Sequence, residues 1–231
     1  MELRNKVVVI IGGSQGFGKA LAELFIKEGS QVVIVSKTKA SIEKTAREIY
    51  ATAFVADVRN ELELQNVARK VIDSFGEIDI WINCAGLFMV FSKDDLIDLN
   101  KAHTMFDVNF FGSVFGSRTA LVYMKNGGVI INVLSSAALD ATRAKNAKLY
   151  AASKWALRGY VEALRGENKD SNVKILSVYP GGMKTHLHDE AIPSEFENFM
   201  NPVDVAEKVI ENLKQNSPVS DLVIKRPSLN S

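Results

Sequence analysis

Tyr150 and Lys154 lie four residues apart in Tyr150-Ala151-Ala152-Ser153-Lys154, so a helix through them puts the phenol and the ammonium one turn apart on the same face. A free phenol ionises near pH ~10, and bringing that close to ~7 takes about 4 kcal/mol of preferential stabilisation of the phenolate. A neighbouring ammonium supplies part of this, and the phenol can then exchange a proton with a carbonyl or alcohol oxygen. Taken alone, a Tyr and a Lys at this spacing are more often a helix-surface pair, so the surroundings decide.

A second chemical feature follows the first apolar run. Gly12-Gly13-Ser14-Gln15-Gly16-Phe17-Gly18 leads from Lys6–Ile11 into a helical stretch, so backbone N–H groups and a helix N-terminus face whatever sits above the strand end. This is a cradle for a phosphate or diphosphate, although tight strand-to-helix turns also need glycine on steric grounds alone. Gly13-xxxx-Gly18-Lys19 nearly matches a nucleoside-triphosphate P-loop, but Ala20 follows where a Mg²⁺-binding hydroxyl is required. The next apolar run ends Val35-Ser36-Lys37-Thr38-Lys39, without the acidic residue that grips a ribose 2′-hydroxyl. Ser36 followed by Lys37 suits a 2′-phosphate, hence NADP over NAD, with NAD still possible; the competing reading is a solvated turn with incidental lysines.

These residues need a scaffold, and the alternation of short apolar runs with amphipathic stretches describes one. Lys6–Ile11, Gln31–Ser36, Thr52–Val55, Ile78–Asn83, Gly128–Leu134, Val173–Tyr179 and Asp221–Lys225 are β-branched and mostly apolar, as strands buried on both faces must be. Lys19–Glu28, Ala40–Tyr50, Glu61–Phe75, Ala102–Met124, Leu149–Glu167 and Pro202–Gln215 carry helical spacing, with Asn201 as cap before Pro202 and Gly29 as a stop. The expected fold class is α/β: a doubly wound, seven-stranded parallel sheet with helices on both faces, Rossmann-type, in one domain over residues 1–231. The irregular stretch 181–201 falls late in the chain after a strand, which suits a substrate lid at the carboxyl edge of the sheet.

Composition narrows the function classes. The 231 residues are 47% hydrophobic and 24% charged with a net charge of +1, so there is no electrostatic footprint for nucleic acid or anionic lipid. The single cysteine, Cys84, cannot form an internal disulfide, the start MELRNKVVVII is too short in apolar residues for a signal peptide, and no run approaches the ~18 apolar residues of a membrane span. The expectation is a soluble, cytoplasmic protein. His186-Leu187-His188-Asp189 has no third ligand at helical spacing, so no metal is expected. Asp94-Asp95 reads as a helix or turn start, and Cys84 as packing rather than nucleophile.

Seven short motifs occur in one order: Gly12-x-x-x-Gly16-x-Gly18, Asp57-Val58, Asn83-Cys84-Ala85-Gly86, Asn109, Ser135, Tyr150-x-x-x-Lys154 and Pro180-Gly181. Together they resemble the short-chain dehydrogenase/reductase family over nearly the whole chain. The resemblance implies that Gly12, Gly16 and Gly18, with Ser14, Gln15 and Phe17, line the adenosine and diphosphate side of the cofactor. Asp57 would accept from the adenine amino group, Val58 contact the ring, and Asn83, Ala85 and Gly86 support the adenine-side ribose. Lys154 would hold the nicotinamide ribose and, with the nicotinamide's positive charge, lower the Tyr150 pKa. Ser135 would bond the substrate oxygen, and Asn109 would position a water linking Lys154 to solvent. Pro180, Gly181, Met183 and Thr185 would flank the nicotinamide.

Departures from the family pattern are local. Ile11 stands where threonine is usual and Cys84 where a second asparagine is common. The interval from Ser135 to Tyr150 is a couple of residues longer than usual and Ser136 is adjacent; the spacing from Asn132 favours Ser135. No glycine-rich tail follows DLVIKRPS, so a homodimer built from Ala102–Met124 and Leu149–Glu167 is at least as plausible as a tetramer. The implied function is an NADP-dependent oxidoreductase interconverting a carbonyl and an alcohol. Leu87, Phe88, Met89, Val90 and Phe91, with Leu187, Ile192 and Phe196, would wall a pocket for a hydrophobic ketone. An NADPH-sensing module without turnover, or an epimerase or dehydratase on the same fold, are the alternatives.

Overall fold

A computed structural model describes residues 1–91, 96–144, 146–189 and 191–226 of the chain; Asp94-Asp95 and the tail from 227 fall outside the described residues. In chain order the elements are β1 (Val7–Ile11), α1 (Gly16–Lys27), β2 (Gln31–Ser36), α2 (Lys39–Ile49), β3 (Thr52–Val55), α3 (Glu61–Phe75), β4 (Ile80–Asn83), α4 (Leu99–Phe106), α5 (Gly112–Tyr123), β5 (Gly128–Val133), α6 (Lys148–Glu167), β6 (Val173–Pro180), α7 (Pro202–Lys214) and β7 (Asp221–Ile224). The strands pair in parallel in the order β3-β2-β1-β4-β5-β6-β7. This is the expected doubly wound, Rossmann-type sheet.

The period-two alternation of β1 divides the core between two faces. Val8 and Ile10 pack with Leu21 and Phe25 of α1, Ile42 of α2 and Val205 of α7; Val7, Val9 and Ile11 pack with Leu64 of α3, Ala120 of α5 and Leu157 of α6. Both faces of every central strand are therefore covered, which is why those segments read as unbroken apolar runs. At the amino edge, the buried Asp79 carboxylate accepts from Lys6 Nζ (2.6 Å) and from the Val7 amide (2.8 Å), tying the entrances of β1 and β4 together. The strand order reverses between β1 and β4, so a crevice opens at their carboxyl ends, where the glycine loop and Asn83–Gly86 emerge.

Two boundaries differ from the sequence expectation for physical reasons. α1 begins at Gly16 rather than Lys19, because the glycine loop itself winds into the first helical turn. The expected helix over 102–124 begins earlier, at Leu99, and runs to Tyr123 as α4, a single π-helical turn at Asp107–Phe111, and α5, helical throughout. The turn carries Asn109, whose buried side chain reaches partners on other elements. Asn201 caps α7 as read, its side chain accepting from the Val203 amide with Pro202 at the first position.

The crossing of the glycine loop over α1 is tight enough to forbid a side chain. A Cβ on Gly18 would lie 2.1 Å from the Gly12 carbonyl oxygen. Gly18→Ala is expected to cost about 3 kcal/mol of stability in urea unfolding, since the obstacle is backbone that cannot move aside. Gly166→Ala in α6, where nothing lies within 4 Å, should instead shift stability upward by no more than about 1 kcal/mol.

Candidate active site

The site is assembled where α6 runs beneath the carboxyl end of β5. Lys154 is buried, and its Nζ donates to the Val133 carbonyl at 3.0 Å, the only acceptor it meets among the described residues. An ammonium has three protons to donate, so two are left over in a place that water hardly reaches. Burial pushes its pKa down to about 8. One turn earlier, Tyr150 is also buried, and Ser135 is the side chain that acts on its phenol. Burial holds the phenol above its ordinary pKa and Ser135 partly offsets this. In the chain by itself burial outweighs what lowers the Tyr150 pKa; the lowering expected from Lys154 belongs to the site with the nicotinamide's positive charge beside it.

Ser135 rather than Ser136 is the serine at the phenol. Its Oγ also accepts from the Ala137 amide at 3.2 Å, which opens a short 3₁₀ turn over Ser136–Ala138. Two side chains of α6 grip that turn: Trp155 Nε1 donates to Ala137 O at 2.8 Å and Arg158 Nη1 to Ala138 O at 3.1 Å. Neither was singled out in the sequence, where an amphipathic helix offers no sign of which polar residues reach across.

Asn109 forms the other wall. Its Oδ1 accepts from the Leu87 amide (2.7 Å), and its Nδ2 donates to Leu87 O (2.9 Å) and Ser153 Oγ (3.0 Å). Ser153 in turn donates to Tyr150 O at 2.7 Å, so α6 and the loop after β4 share one clamp. A Cβ on Gly86 would lie 3.4 Å from Asn109 Oδ1 and 3.9 Å from Lys154 Nζ, which places Gly86 directly over both. The π turn explains how Asn109 gets there, since an extra residue in one turn rotates its side chain inward.

The predicted nucleotide positions spread along the crevice. Gln15 provides no side-chain cap to α1, so the first-turn amides of Gly16, Phe17 and Gly18 keep their hydrogen-bonding capacity for an anion. Gly12 N and Gly13 N are already spent on Val35 O, at 2.8 and 3.3 Å. Ser14 Oγ meets Ser36 Oγ at 3.2 Å, and Thr45 Oγ1 donates to Ser14 O at 2.7 Å, so the loop is fixed to β2 and α2. Lys37 is exposed beside Ser36, and its charge acts on Asp57. Arg59 holds Asp57 ionised through paired bonds from Nε at 3.0 Å. Val58 is buried against Gly112.

Asn83 is placed differently from what its expected role requires. Its side chain turns into the core, accepting from Trp81 Nε1 (2.9 Å) and donating to Asn132 Oδ1 (2.9 Å) and Ser117 Oγ (3.0 Å), with Gly116 making room for it. A ligand contact by Asn83 is therefore left to its backbone, beside Ala85 and Gly86. Cys84 faces the core, and burial pushes its thiol up to about 12, which keeps it protonated and unreactive.

The stretch 181–201, expected as a lid, is anchored at both ends. Met183 bridges Met200, and the Gly182 carbonyl accepts from the Met200 amide at 3.0 Å, so both ends of the strap are clasped together. Gly181 N donates to Ile224 O at 2.9 Å, fixing the segment after Pro180 to β7. Thr185 stands over the glycine loop, its Cβ 3.3 Å from where a Cβ of residue 16 would project. Leu87, Phe88, Met89 and Phe91 pack around Tyr150 as an apolar wall. Ile192 and Val90, expected in that wall, are 67% and 41% exposed and point to solvent.

Across the described residues the order of elements, the glycine turn and the Ser135-Tyr150-Lys154-Asn109 cluster coincide in one crevice, and the sequence model of the short chain dehydrogenase family matches residues 6–195. The chain belongs to the short chain dehydrogenase family. It is 31% identical over 228 residues to an uncharacterized oxidoreductase of Staphylococcus saprophyticus, covering 95% of this chain and 96% of that protein. Among solved structures it is similar to a 3-ketoacyl-(acyl-carrier-protein) reductase from Brucella melitensis complexed with NADH, with 27% identity, TM-score 0.86 and coverage of 96% and 97%. It is likewise similar to a short chain dehydrogenase from Burkholderia cenocepacia in complex with NADP, with 27% identity, TM-score 0.85 and coverage of 97% and 98%. This dehydrogenase has no described helix long and apolar enough to cross a membrane.

Asn109→Ala tests the clamp. Losing it leaves both Leu87 backbone groups unpaired, which is expected to cost about 3 kcal/mol in denaturant unfolding. Nucleotide affinity measured by calorimetry should fall with it, because the Gly86 turn loses its support.

Proposed function

We propose that this dehydrogenase is an NADP-dependent oxidoreductase that interconverts a carbonyl and an alcohol, with Tyr150 as the proton donor and acceptor. The observation that carries the reading is the buried Lys154 ammonium with one protein acceptor, Val133 O, and two protons to spare. Ribose hydroxyls above Gly86 are the acceptors its position calls for, and the uncapped first turn of α1 suits a diphosphate. These residues fit a nicotinamide dinucleotide, which when bound supplies or accepts the hydride. The same tight, water-poor surroundings support Tyr150 and Ser135 as the groups that meet the substrate oxygen.

In the direction of reduction, Tyr150 gives its proton to the carbonyl oxygen while Ser135 donates a hydrogen bond to the same atom and steadies its charge. The raised phenol pKa keeps the proton in place until the oxygen becomes basic. Lys154 stabilises the phenolate left behind, and Asn109 holds the loop over which a water can return a proton from solvent. The apolar wall of Leu87, Phe88, Met89 and Phe91 excludes water and favours a hydrophobic ketone over a charged one.

NADP is favoured by the end of β2. The nucleotides in the two similar structures differ, so the preference rests on this chain's own residues. Arg59 is engaged by Asp57 and Lys39 lies 3.8 Å from Glu43, whereas Lys37 makes no ion pair among the described residues and stands beside Ser36. Phe111, Val122 and Trp155, exposed on and beside α5 and α6, support association of two copies across those helices.

Tyr150→Phe should lower ketone reduction by roughly a hundredfold or more in steady-state assays while leaving nucleotide affinity nearly unchanged. Near-normal turnover in that variant would remove Tyr150 from the reaction. The pH profiles should diverge. Reduction needs the protonated phenol and the charged ammonium, so its rate should fall on the alkaline side, at a pH above the value of about 8 at which Lys154 loses its proton in the chain alone, because the bound nucleotide raises that value. Oxidation needs the ionised phenol and should climb with pH up to that point; parallel profiles would contradict the assignment.

For the cofactor, a charge-assisted bond from Lys37 worth ~1.5–3 kcal/mol makes NADPH preferred by roughly 10- to 150-fold in kcat/KM. Lys37→Ala should erase most of that gap and Ser36→Asp should reverse it. Equal efficiency with both nucleotides in the wild-type chain would overturn the NADP preference.

A further inference from the structure

The backbone after β5 makes a single turn of 3₁₀ helix, Ser136–Ala138, opened by Ser135. So short a turn cannot satisfy its own last carbonyls, and α6 does this from outside. Trp155 Nε1 donates to Ala137 O at 2.8 Å and Arg158 Nη1 to Ala138 O at 3.1 Å. The Arg158 guanidinium also lies over the Trp155 ring, 5.3 Å from its centroid, and its Nε donates to Glu162 Oε1 at 2.7 Å. Trp155 is 44% exposed, so burial alone does not account for its orientation. The indole carries one polar group, its N–H, and that group is committed to the turn.

The turn in turn holds Ser135. A serine hydroxyl has one proton and two lone pairs, and it rotates until its neighbours fix it. The Ala137 amide takes one lone pair at 3.2 Å, which directs the proton away from the turn. Ala137 is thus gripped twice: its N–H by Ser135 Oγ, its carbonyl by Trp155. Releasing the carbonyl lets the residue turn, draws the amide away from Oγ and spreads the hydroxyl over several rotamers. A donor that must be reoriented during the reaction stabilises developing charge less than one already aimed. Tyr150 stands on the same helix as Trp155, so α6 sets the phenol directly and the serine at one remove.

We propose that Trp155 is a positioning residue: its indole N–H holds the Ala137 carbonyl and so aims the Ser135 hydroxyl at the reacting oxygen, with Arg158 bracing the ring. The proposal rests on the carbonyl and alcohol reading of the site and deepens it, by assigning the orientation of Ser135 to a side chain that touches neither substrate nor nucleotide.

Two substitutions separate positioning from packing. Trp155→His keeps a ring N–H at the position of the indole's own and loses the fused six-membered ring, whereas Trp155→Phe keeps a six-membered ring and loses the donor. Single-turnover reduction of benzylacetone at saturating NADPH should slow roughly three- to tenfold in Trp155→Phe, the range of one neutral hydrogen bond, with nucleotide affinity and the KM for ketone nearly unchanged. Trp155→His should recover most of the rate. Trp155→Phe added to Ser135→Ala should slow the reaction no further, since no hydroxyl is left to aim. A faster rate in Trp155→Phe than in Trp155→His, a full rate in Trp155→Phe, or a loss that adds to that of Ser135→Ala would overturn the proposal. Hydrogen exchange of the Ala137 amide, followed by NMR without substrate, reads the same link without turnover: it should quicken in Trp155→Phe and recover in Trp155→His, and unchanged exchange would also overturn the proposal. A wild-type chain that reduces no hydrophobic ketone while this exchange responds as expected would defeat the reductase reading and leave the link from Trp155 to Ser135 standing.

Discussion

A buried ammonium is the constraint from which the site follows. Removing a cation from water is costly unless its protons find acceptors, and Lys154 Nζ has one, the Val133 carbonyl at 3.0 Å. That bond pulls α6 against the end of β5 and sets its rotation. Tyr150, one turn away, then falls beside Ser135, and Trp155 and Arg158 fall over the Ala137 and Ala138 carbonyls of the same turn. In the proposed function the unfinished coordination of the ammonium is what a nucleotide's ribose hydroxyls would complete.

The opposite wall answers the same demand with an amide. Asn109 spends its side chain on Leu87 and Ser153, and the π turn that delivers it widens one turn of an otherwise α-helical run. Local helical regularity is given up for a contact between distant elements, a trade usual at functional sites. Beneath it, Asn83, Trp81, Ser117 and Asn132 form a buried polar network that joins β4, β5 and α5. The loops above the sheet thus rest on hydrogen bonds whose partners lie far apart in sequence.

This distinction separates what the sequence discloses from what it conceals. Runs such as Val7–Ile11 announce a strand covered on both faces because burial there depends only on local composition. Asn201-Pro202 announces a helix start for the same reason, and Tyr150-x-x-x-Lys154 needs only helical spacing to put two groups together. The π turn at Asp107–Phe111 is hidden, since the side chain it carries inward bonds to Leu87, twenty-two positions away. Asn83 looked like a ligand contact by position, yet its amide is consumed by the core. His188 looked like half of an incomplete metal motif, and only the packing of Phe88 and Phe199 around it shows a different setting. Ile192 is apolar and near the site in sequence but faces solvent, because the strap's register turns Phe196 and Phe199 inward instead.

The state of the Lys154 ammonium is open to direct observation. Isotope labelling of lysine side chains and an NMR pH titration would give its pKa in the chain alone and with NADPH bound. A value of about 8 in the chain alone is expected, rising when NADPH is added as ribose oxygens accept its spare protons. Titration near the ordinary lysine value of 10.5 in both states, or no change on adding NADPH, would contradict the account.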